Sequence, residues 1–303
     1  MDSAIITGVN GLVGKSVAKF LTAKKINVLG LGRKKLLPNE IEACYGQNFT
    51  YLCLPSENLE DLSEVITSIN WRLGQACVFF NFAWSGEQNL TDGTFRIQLK
   101  NAIHASNAVK VAKKIGCIKF INSGSLEETF AEHVLNQKLI NHQLSQLNYT
   151  ISKLASKNMC KMISYLERID YIHTRLSVPL ASDLDQGGYV ASTLRKISQG
   201  KPYELPSNNQ LFDIIFLEDV ANAYYLIGLY GRNKADYFIG TSRPATLLQY
   251  FRQFEQFING HKIDKLKLLE KFDYGFFDIS VLKEDTGFEP SADTLFQKLK
   301  KNY

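Results

Sequence analysis

Short apolar runs and stretches of helical spacing take turns along this chain. The runs Ser3–Thr7, Ile26–Leu31, Thr50–Leu54, Ala76–Phe82 and Ile118–Asn122 are each the length of one strand, and Ala76–Phe82 reads as a continuous apolar strand of the kind found in the middle of a parallel sheet. Between them the apolar period lengthens. Val17, Ala18, Phe20 and Leu21 follow the first run at helical spacing, Leu59–Ile69 and Ile97–Ile115 are amphipathic, and Leu154, Ala155, Met159, Met162 and Ile163 continue a helical stripe that begins near Tyr149. Tyr189–Gly200 predicts another helix, followed by a short extended piece at Lys201–Leu205. Strands alternating with helices predict an α/β fold around a parallel sheet.

Composition narrows the class. With 303 residues, of which 45% are hydrophobic and 12% aromatic, the chain can bury a substantial core and does not read as disordered. The net charge of +5 is spread over short lysine pairs such as Lys24-Lys25, Lys34-Lys35 and Lys113-Lys114. So diffuse an excess does not imply nucleic acid binding, although it suits a phosphorylated substrate. The five cysteines, Cys44, Cys53, Cys77, Cys117 and Cys160, are odd in number and far apart, which predicts neither a disulfide framework nor a metal site and fits a reducing compartment. No apolar run reaches the roughly 18 residues of a membrane span and nothing resembles a signal peptide, so a cytoplasmic location without a membrane partner is expected.

The first strand runs into Gly8-Val9-Asn10-Gly11-Leu12-Val13-Gly14 and then into a helix. Glycines at such a turn let the backbone approach a diphosphate, whose charge the free N–H groups of the helix start stabilise; an ordinary glycine-rich turn is the alternative. The second strand ends in Gly32-Arg33-Lys34-Lys35, with no acid where the adenosine ribose of a dinucleotide would lie. Arg33, helped by Lys34, therefore favours the 2′-phosphate of NADP(H) over NAD, with a solvated basic turn as the alternative.

Tyr149-Thr150-Ile151-Ser152-Lys153 sets a phenol and an ammonium four residues apart, on one side of a helix. An ammonium beside a phenol favours the phenolate, which predicts a lowered tyrosine pKa and a tyrosine able to give a proton to a carbonyl oxygen or take one from a hydroxyl. A second pair with this spacing, Tyr230 and Lys234, is interrupted by the turn signal Gly231-Arg232-Asn233.

Thr7-Gly8-x-x-Gly11-x-x-Gly14, with Tyr149 and Lys153 downstream, resembles the extended short-chain dehydrogenase/reductases, the family of nucleotide-sugar epimerases, dehydratases and reductases. The resemblance implies a Rossmann-type doubly wound parallel sheet at residues 1–175, with a return segment near 212–240, and a smaller substrate-binding lobe at 176–211 and 241–303. It makes Tyr171–Leu176 the sixth strand. Phe212-Asp213-Ile214-Ile215-Phe216-Leu217-Glu218-Asp219-Val220-Ala221 matches a family signature in which the chain returns to the sheet and Asp219 caps the next helix. The turn Phe82-Ala83-Trp84-Ser85 matches the passage after strand four that runs close to the cofactor, and Asn101 matches an asparagine that faces the active site. Ser123-Gly124-Ser125, with Ser125 leading Tyr149 by 24 residues, matches the serine that shares the substrate oxygen with the tyrosine.

The implied catalytic residues are Ser125, Tyr149 and Lys153. The implied cofactor contacts are Gly8, Asn10, Gly11, Leu12, Val13, Gly14, Arg33, Lys34, Ala83, Trp84 and Ser123, with Tyr149 and Lys153. Substrate contacts are expected from Ser85, Ser125, Glu127, Arg195, Lys201 and Arg243.

Three departures from the family pattern shape the expected reaction. Leu126 replaces the first acid of the pair that follows the catalytic serine or threonine in dehydratases. Glu127 stands where coupled epimerases of the GDP-fucose synthase branch place a cysteine, and no histidine lies between His173 and His261. Phe212 replaces the arginine that grips the substrate diphosphate, leaving Arg195, Lys201 or Arg243 to substitute. The expectation is NADPH-dependent reduction of the C4 ketone of a nucleotide-diphosphate 4-keto-6-deoxy sugar, for surface polysaccharide or glycan biosynthesis, by a homodimer. A 4-epimerase that retains NAD is the near alternative, and a non-catalytic dinucleotide sensor the alternative of another class.

Overall fold

The computed structural model describes residues 1–86, 95–136, 147–206, 210–264, 274–291 and 299. The C-terminal part of the expected substrate lobe, 265–273 and 292–303 apart from Leu299, thus lies outside the described residues.

In chain order, the elements of the first half are β1 (Ser3–Thr7), α1 (Leu12–Ala23), β2 (Asn27–Gly32), α2 (Pro38–Tyr45), β3 (Phe49–Cys53), α3 (Leu62–Ser68), β4 (Cys77–Asn81), α4 (Phe95–Lys114), β5 (Lys119–Ser125), α5 (Glu127–Leu135) and α6 (Leu147–Glu167). The second half adds β6 (Asp170–Leu176), β7 (Val178–Leu180), α7 (Tyr189–Ser198), β8 (Leu211–Phe212), β9 (Ile214–Phe216), α8 (Leu217–Tyr230), β10 (Asp236–Ile239), β11 (Ala245–Thr246), α9 (Leu247–Ile258) and α10 (Ser280–Thr286).

Seven strands form one sheet in the order β10-β6-β5-β4-β1-β2-β3. Every ladder in it is parallel. β1 and β4 are buried along their whole length, as central strands covered by helices on both faces must be. Each helix supplies an apolar stripe at 3.6-residue spacing: Val17, Ala18 and Leu21 on α1, and Val220, Ala221, Tyr224 and Ile227 on α8. One core fills the face covered by α1 and α8, and a second fills the face covered by α4 and α6, around Phe79, Phe120 and Tyr171. Truncating one of these phenylalanines to Ala would cost about 3–5 kcal/mol.

A third core is separate. Leu194 and Ile197 of α7 meet Leu247, Phe251 and Phe254 of α9 there, together with Ile214 and Phe216 of β9. The capping box of Thr246 and Gln249 starts α9. Two-stranded ladders, β7 with β9 and β8 with β11, tie this unit to the sheet.

Several expectations shift in detail. The Leu59–Ile69 helix divides into a 3-10 turn at Ser56–Asp61 and α3. Lys201–Leu205 joins no ladder. Phe216 occupies the N-cap of α8, not Asp219; Asp219 lies in the first turn, where it accepts from the Ser291 hydroxyl. Its charge there still complements the helix dipole. Tyr230 ends α8 and Lys234 sits in the turn with φ 67°, so the second Tyr-Lys pair is broken as its sequence predicts.

The sheet order reverses between β1 and β4, since the chain builds outward through β2 and β3 on one side and through β5, β6 and β10 on the other. A crevice opens beyond the strand C-termini at that point, and in such folds it takes the ligand.

Candidate active site

The floor of the crevice is built of backbone. Gly8 follows β1 with φ 66°, and a Cβ there would stand 2.8 Å from the Ala83 nitrogen. A Cβ on Gly14 would stand 2.4 Å from the Gly8 carbonyl oxygen, so both positions need glycine for α1 to start this close to the turn after β4. Gly11 is the N-cap of α1 and offers no side-chain cap, which leaves the first N–H groups of the helix facing the crevice. Leu12 and Val13 open the helix, and Val13 packs on the core.

A cavity of about 310 Å³ runs from this turn past the ends of β2 and β4. Its walls include Gly8, Asn10, Gly11, Arg33, Lys34 and Ala83. Trp84 and Ser85 close it on the far side. Tyr51 receives a hydrogen bond from Asn10 and donates to the Lys34 carbonyl, so it fastens the basic turn to the glycine turn. Arg33 is exposed, reaches Ser85 Oγ at 3.4 Å, and has no carboxylate among the cavity walls.

The turn after β4 is held from two sides. Asn101 of α4 accepts from the Ser85 N–H at 2.8 Å and donates to its carbonyl at 2.7 Å, which explains why an asparagine suits that position. Trp84 donates its indole N–H to Gln98 at 2.8 Å, a partner that sequence reading missed.

Opposite lie the residues expected to be catalytic. Ser125 ends β5, and Tyr149 and Lys153 sit on successive turns of α6. The Ser125 hydroxyl hydrogen-bonds the Tyr149 phenol and accepts from the Glu127 N–H at 3.3 Å. Lys153 donates to the Ser123 carbonyl at 2.8 Å, and its ammonium lies 3.9 Å from the centre of the Trp84 ring. Trp84 meets Tyr149 edge to face at 5.9 Å. Serine, tyrosine, lysine and the cofactor-side turn therefore converge as the sequence predicts.

The predicted electrostatics do not hold. Burial pushes the Tyr149 phenol well above its ordinary range, with the Ser125 hydrogen bond opposing. Burial brings Lys153 down to about 8, with the charge of Glu128 opposing. The ammonium stands over the indole and is 5.8 Å from the centre of the Tyr149 ring, so its attraction for a phenolate is outweighed by desolvation. A tyrosine kept protonated in this way is an acid waiting for a developing oxyanion, and a lysine near 8 can recharge it at neutral pH.

Two polar chains brace the set. Thr7 donates to Asn81, Asn81 to Asn122, and Asn122 to Ser156 of α6, at 2.7, 2.9 and 3.4 Å. Glu128, fully buried, accepts from the Ser125 N–H at 2.9 Å and pairs with His173 at 2.7 Å. Neither Glu128 nor His173 stands in the predicted set; a histidine inside an apolar strand was the one signal for them, since a buried imidazole needs a partner.

The expected substrate cations are dispersed. Arg195 is occupied by the carbonyls of Leu184 and Gln186, so it clasps a loop and is not free for a diphosphate. Lys201 is exposed after α7, beside the third core. Arg243 is exposed on the turn clamped by Asp213, which accepts from the Thr241 and Ser242 N–H groups. That turn is tied to Phe277, which packs on Leu126 and Phe130 next to the catalytic set. Arg243 is therefore the exposed cation whose turn is linked to this wall of the crevice.

A glycine turn that side chains would fill, an uncapped helix start and a basic turn beside a cavity together fit a dinucleotide. No group of three or more metal-ligating side chains occurs among the described residues, and no helix among them is long and apolar enough to cross a membrane. All five cysteines are free.

No curated protein matches this chain in sequence. Solved structures do match in shape. A UDP-glucose 4-epimerase from Thermotoga maritima with UDP-glucose is 19% identical, with a TM-score of 0.73 over 98% of this chain and 96% of that one. A variant UDP-glucuronic acid 4-epimerase from Bacillus cereus, with NAD and UDP-4-deoxy-4-fluoro-glucuronic acid, is 16% identical, with a TM-score of 0.72 over 99% and 100%. A UDP-N-acetylglucosamine 4-epimerase from Methanobrevibacter ruminantium, with UDP-N-acetylmuramic acid, is 17% identical, with a TM-score of 0.73 over 99% and 96%. Identities this low establish the fold. The model of the NAD dependent epimerase/dehydratase family matches residues 4–240, most of the chain, including the glycine turn, Arg33, Ser125, Tyr149 and Lys153. With its glycine turn, its crevice at the sheet's reversal and its Ser125-Tyr149-Lys153 set, the chain is an enzyme that belongs to the NAD-dependent epimerase/dehydratase family, the extended short-chain dehydrogenase/reductases.

Proposed function

We propose that this enzyme reduces the C4 ketone of a nucleotide-diphosphate 4-keto-6-deoxy sugar with NADPH, in surface polysaccharide or glycan biosynthesis. The observation that carries the reading is the meeting of Ser125, Tyr149 and Lys153 at the end of β5, against the cavity turn that holds Trp84. When bound, the cofactor supplies the hydride. The backbone N–H groups from Gly11 onward would hold its diphosphate, and Arg33 with Lys34 its 2′-phosphate. Ser125 has its oxygen engaged by the Glu127 N–H, which turns its proton toward a substrate oxygen. Tyr149 donates the proton to the forming alkoxide, and Lys153 restores it. Leu126 leaves the site without the first acid that would expel a hydroxyl, which supports reduction over dehydration.

The substrate-binding lobe of this reading is 176–211 with 241–303, and Arg243 is its best-placed cation for the diphosphate. α4 and α6 pack side by side and expose Ile103, Met162, Tyr165 and Leu166, which supports a homodimer through that face; sedimentation as a monomer would remove it.

A second reading, 4-epimerisation with retained NAD, is favoured by the three 4-epimerases that share the fold across nearly the whole chain. Stoichiometry separates the two. With NADPH and an NDP-4-keto-6-deoxyhexose, reduction consumes one NADPH for each product, which is two mass units heavier than the ketone. Conversion of an NDP-hexose bearing a C4 hydroxyl into its C4 epimer, at unchanged mass and with no NADPH consumed, establishes the epimerase, and loss of water from such an NDP-hexose establishes a dehydratase.

A further inference from the structure

Glu128 and His173 form a buried polar pair, with side chains 0% and 2% exposed, to which the proposed reaction gives no task. A buried pair of this kind contributes little net stability compared with apolar side chains of the same volume. Its location is more informative. One carboxylate oxygen accepts from the Ser125 N–H at 2.9 Å, and the other faces His173 Nε2 at 2.7 Å. His173 Nδ1 faces the Tyr171 hydroxyl at 3.2 Å, and that hydroxyl donates to the Lys157 carbonyl. The Asn122 amide nitrogen, a donor, also faces Nδ1, at 3.5 Å, which leaves Nε2 as the nitrogen placed to donate to Glu128.

The pair also passes directly behind Gly124, where a Cβ would stand 2.4 Å from both Glu128 Oε1 and His173 Nε2. Gly124 is flanked by the two residues that matter most: the Ser123 carbonyl holds Lys153, and Ser125 carries the hydroxyl that meets Tyr149. Glu128 acts on both catalytic groups through its charge, opposing ionisation of Tyr149 and favouring the charged form of Lys153.

We propose that the Glu128–His173 pair is the positioning device of this active site. It fixes the Ser123–Ser125 segment so that the Ser125 hydroxyl and the Lys153 ammonium are presented together, and its carboxylate sets the field in which Tyr149 and Lys153 pass a proton. The proposal rests on Ser125, Tyr149 and Lys153 being the catalytic set. Other charged or titratable groups around the pair are Tyr171 and Arg175 of β6, Asp236 of β10 and Tyr224 of α8. Cys160 of α6 lies near Lys153, but burial raises its thiol to about 12, so it is neutral where Lys153 titrates.

The test uses the full chain and two variants. Glu128→Gln keeps an acceptor for the Ser125 N–H and removes the charge; His173→Asn leaves the carboxylate without its partner. The first readout is the pH midpoint of Lys153 acetylation by acetic anhydride, followed by peptide mass spectrometry, which needs neither cofactor nor substrate. Thermal unfolding checks the fold. The midpoint should fall in Glu128→Gln, by on the order of one pH unit, and rise in His173→Asn. In turnover with NADPH and an NDP-4-keto-6-deoxyhexose, Glu128→Gln should lower kcat by as much as ~100-fold with little change in KM, because the reacting groups are misplaced and not the bound sugar.

Wild-type midpoint and kcat in a folded Glu128→Gln protein overturn the proposal. If that variant does not fold, the direction of the His173→Asn shift decides; if neither folds, the pair is structural and the proposal fails. Wild-type turnover in Tyr149→Phe would instead overturn the catalytic set, and the acetylation midpoints would still judge the pair.

Discussion

The two walls of the crevice are built on opposite principles. The nucleotide wall, from Gly8 to Gly14 with the ends of β2 and β4, is made of backbone, and its cation Arg33 is exposed. The catalytic wall, from Ser123 to Glu128 with Tyr149 and Lys153, is made of polar side chains held by hydrogen bonds, with Glu128 and Lys153 buried and Ser125 and Tyr149 partly exposed to the crevice. As proposed, the first wall would bind by shape and by N–H groups that do not titrate, and the second would do chemistry with groups whose pKa values burial moves. Damage to the first should therefore appear in affinity, and damage to the second in turnover and pH dependence.

The largest effect expected apart from loss of the tyrosine is at Lys153. Lys153→Ala removes the bond to the Ser123 carbonyl and the group that recharges Tyr149, so kcat should fall by about 10² to 10⁴. Cofactor affinity should fall with it, since Lys153 is assigned to the cofactor as well as to the proton transfer. Unchanged cofactor affinity, measured by equilibrium titration, would confine Lys153 to the catalytic wall.

Arg33→Ala should weaken NADPH by about 1.5–3 kcal/mol, the scale of a hydrogen bond to a charged group, and leave NADH almost unchanged. Equal or tighter binding of NADH by the wild-type protein would remove the NADP(H) preference and leave NAD as the cofactor.

Gly14→Ala forces a Cβ against the Gly8 carbonyl and should destabilise by about 1–3 kcal/mol through overpacking. Gly187→Ala, whose added Cβ meets nothing within 4 Å, is the control and should unfold with the wild type. Equal midpoints in denaturant would show that the glycine turn is looser than described.

The smallest expected effect lies away from both walls. Burial raises the Asp213 carboxyl from 3.8 to about 6, so its contribution to stability is fully present below pH 3.8 and is lost as pH rises through 6. One proton allows a slope of at most ~1.4 kcal/mol per pH unit in that window. Asp213→Asn should flatten the slope in denaturant titrations between pH 4 and 6.

The nucleotide wall was legible in sequence because its parts are local. Glycines three residues apart between an apolar run and a helix, and a basic turn ending the next run, need no knowledge of distant residues. The positions of β1 to β5 were legible for a related reason, since each holds a short apolar run, whereas β6, interrupted by His173 and Arg175, came from the family resemblance. On the catalytic wall, spacing singled out Tyr149 and Lys153 and the family resemblance added Ser125 as candidates, but neither gave their ionisation. That depends on burial by residues distant in sequence; Trp84, for one, comes 65 residues before Tyr149 yet its ring lies beside the lysine ammonium. Glu128 and His173 are 45 residues apart and meet only through the β5–β6 pairing. Arg195 looked like a substrate cation because a charge on a helix does not announce that loop carbonyls will claim it. Asp219 was misjudged by three positions, since Phe216 ends β9 and begins α8 without a break.

The most direct test of the account is Tyr149→Phe. The substitution removes one oxygen from the catalytic wall and leaves the nucleotide wall untouched, so cofactor titration should give the wild-type dissociation constant. Turnover of an NDP-sugar, by reduction or by epimerisation, should fall by about 10² to 10⁴, the usual worth of a positioned acid. Near-normal turnover with intact cofactor binding would contradict the account, because the proton would then come from a group other than the one that Ser125 and Lys153 surround.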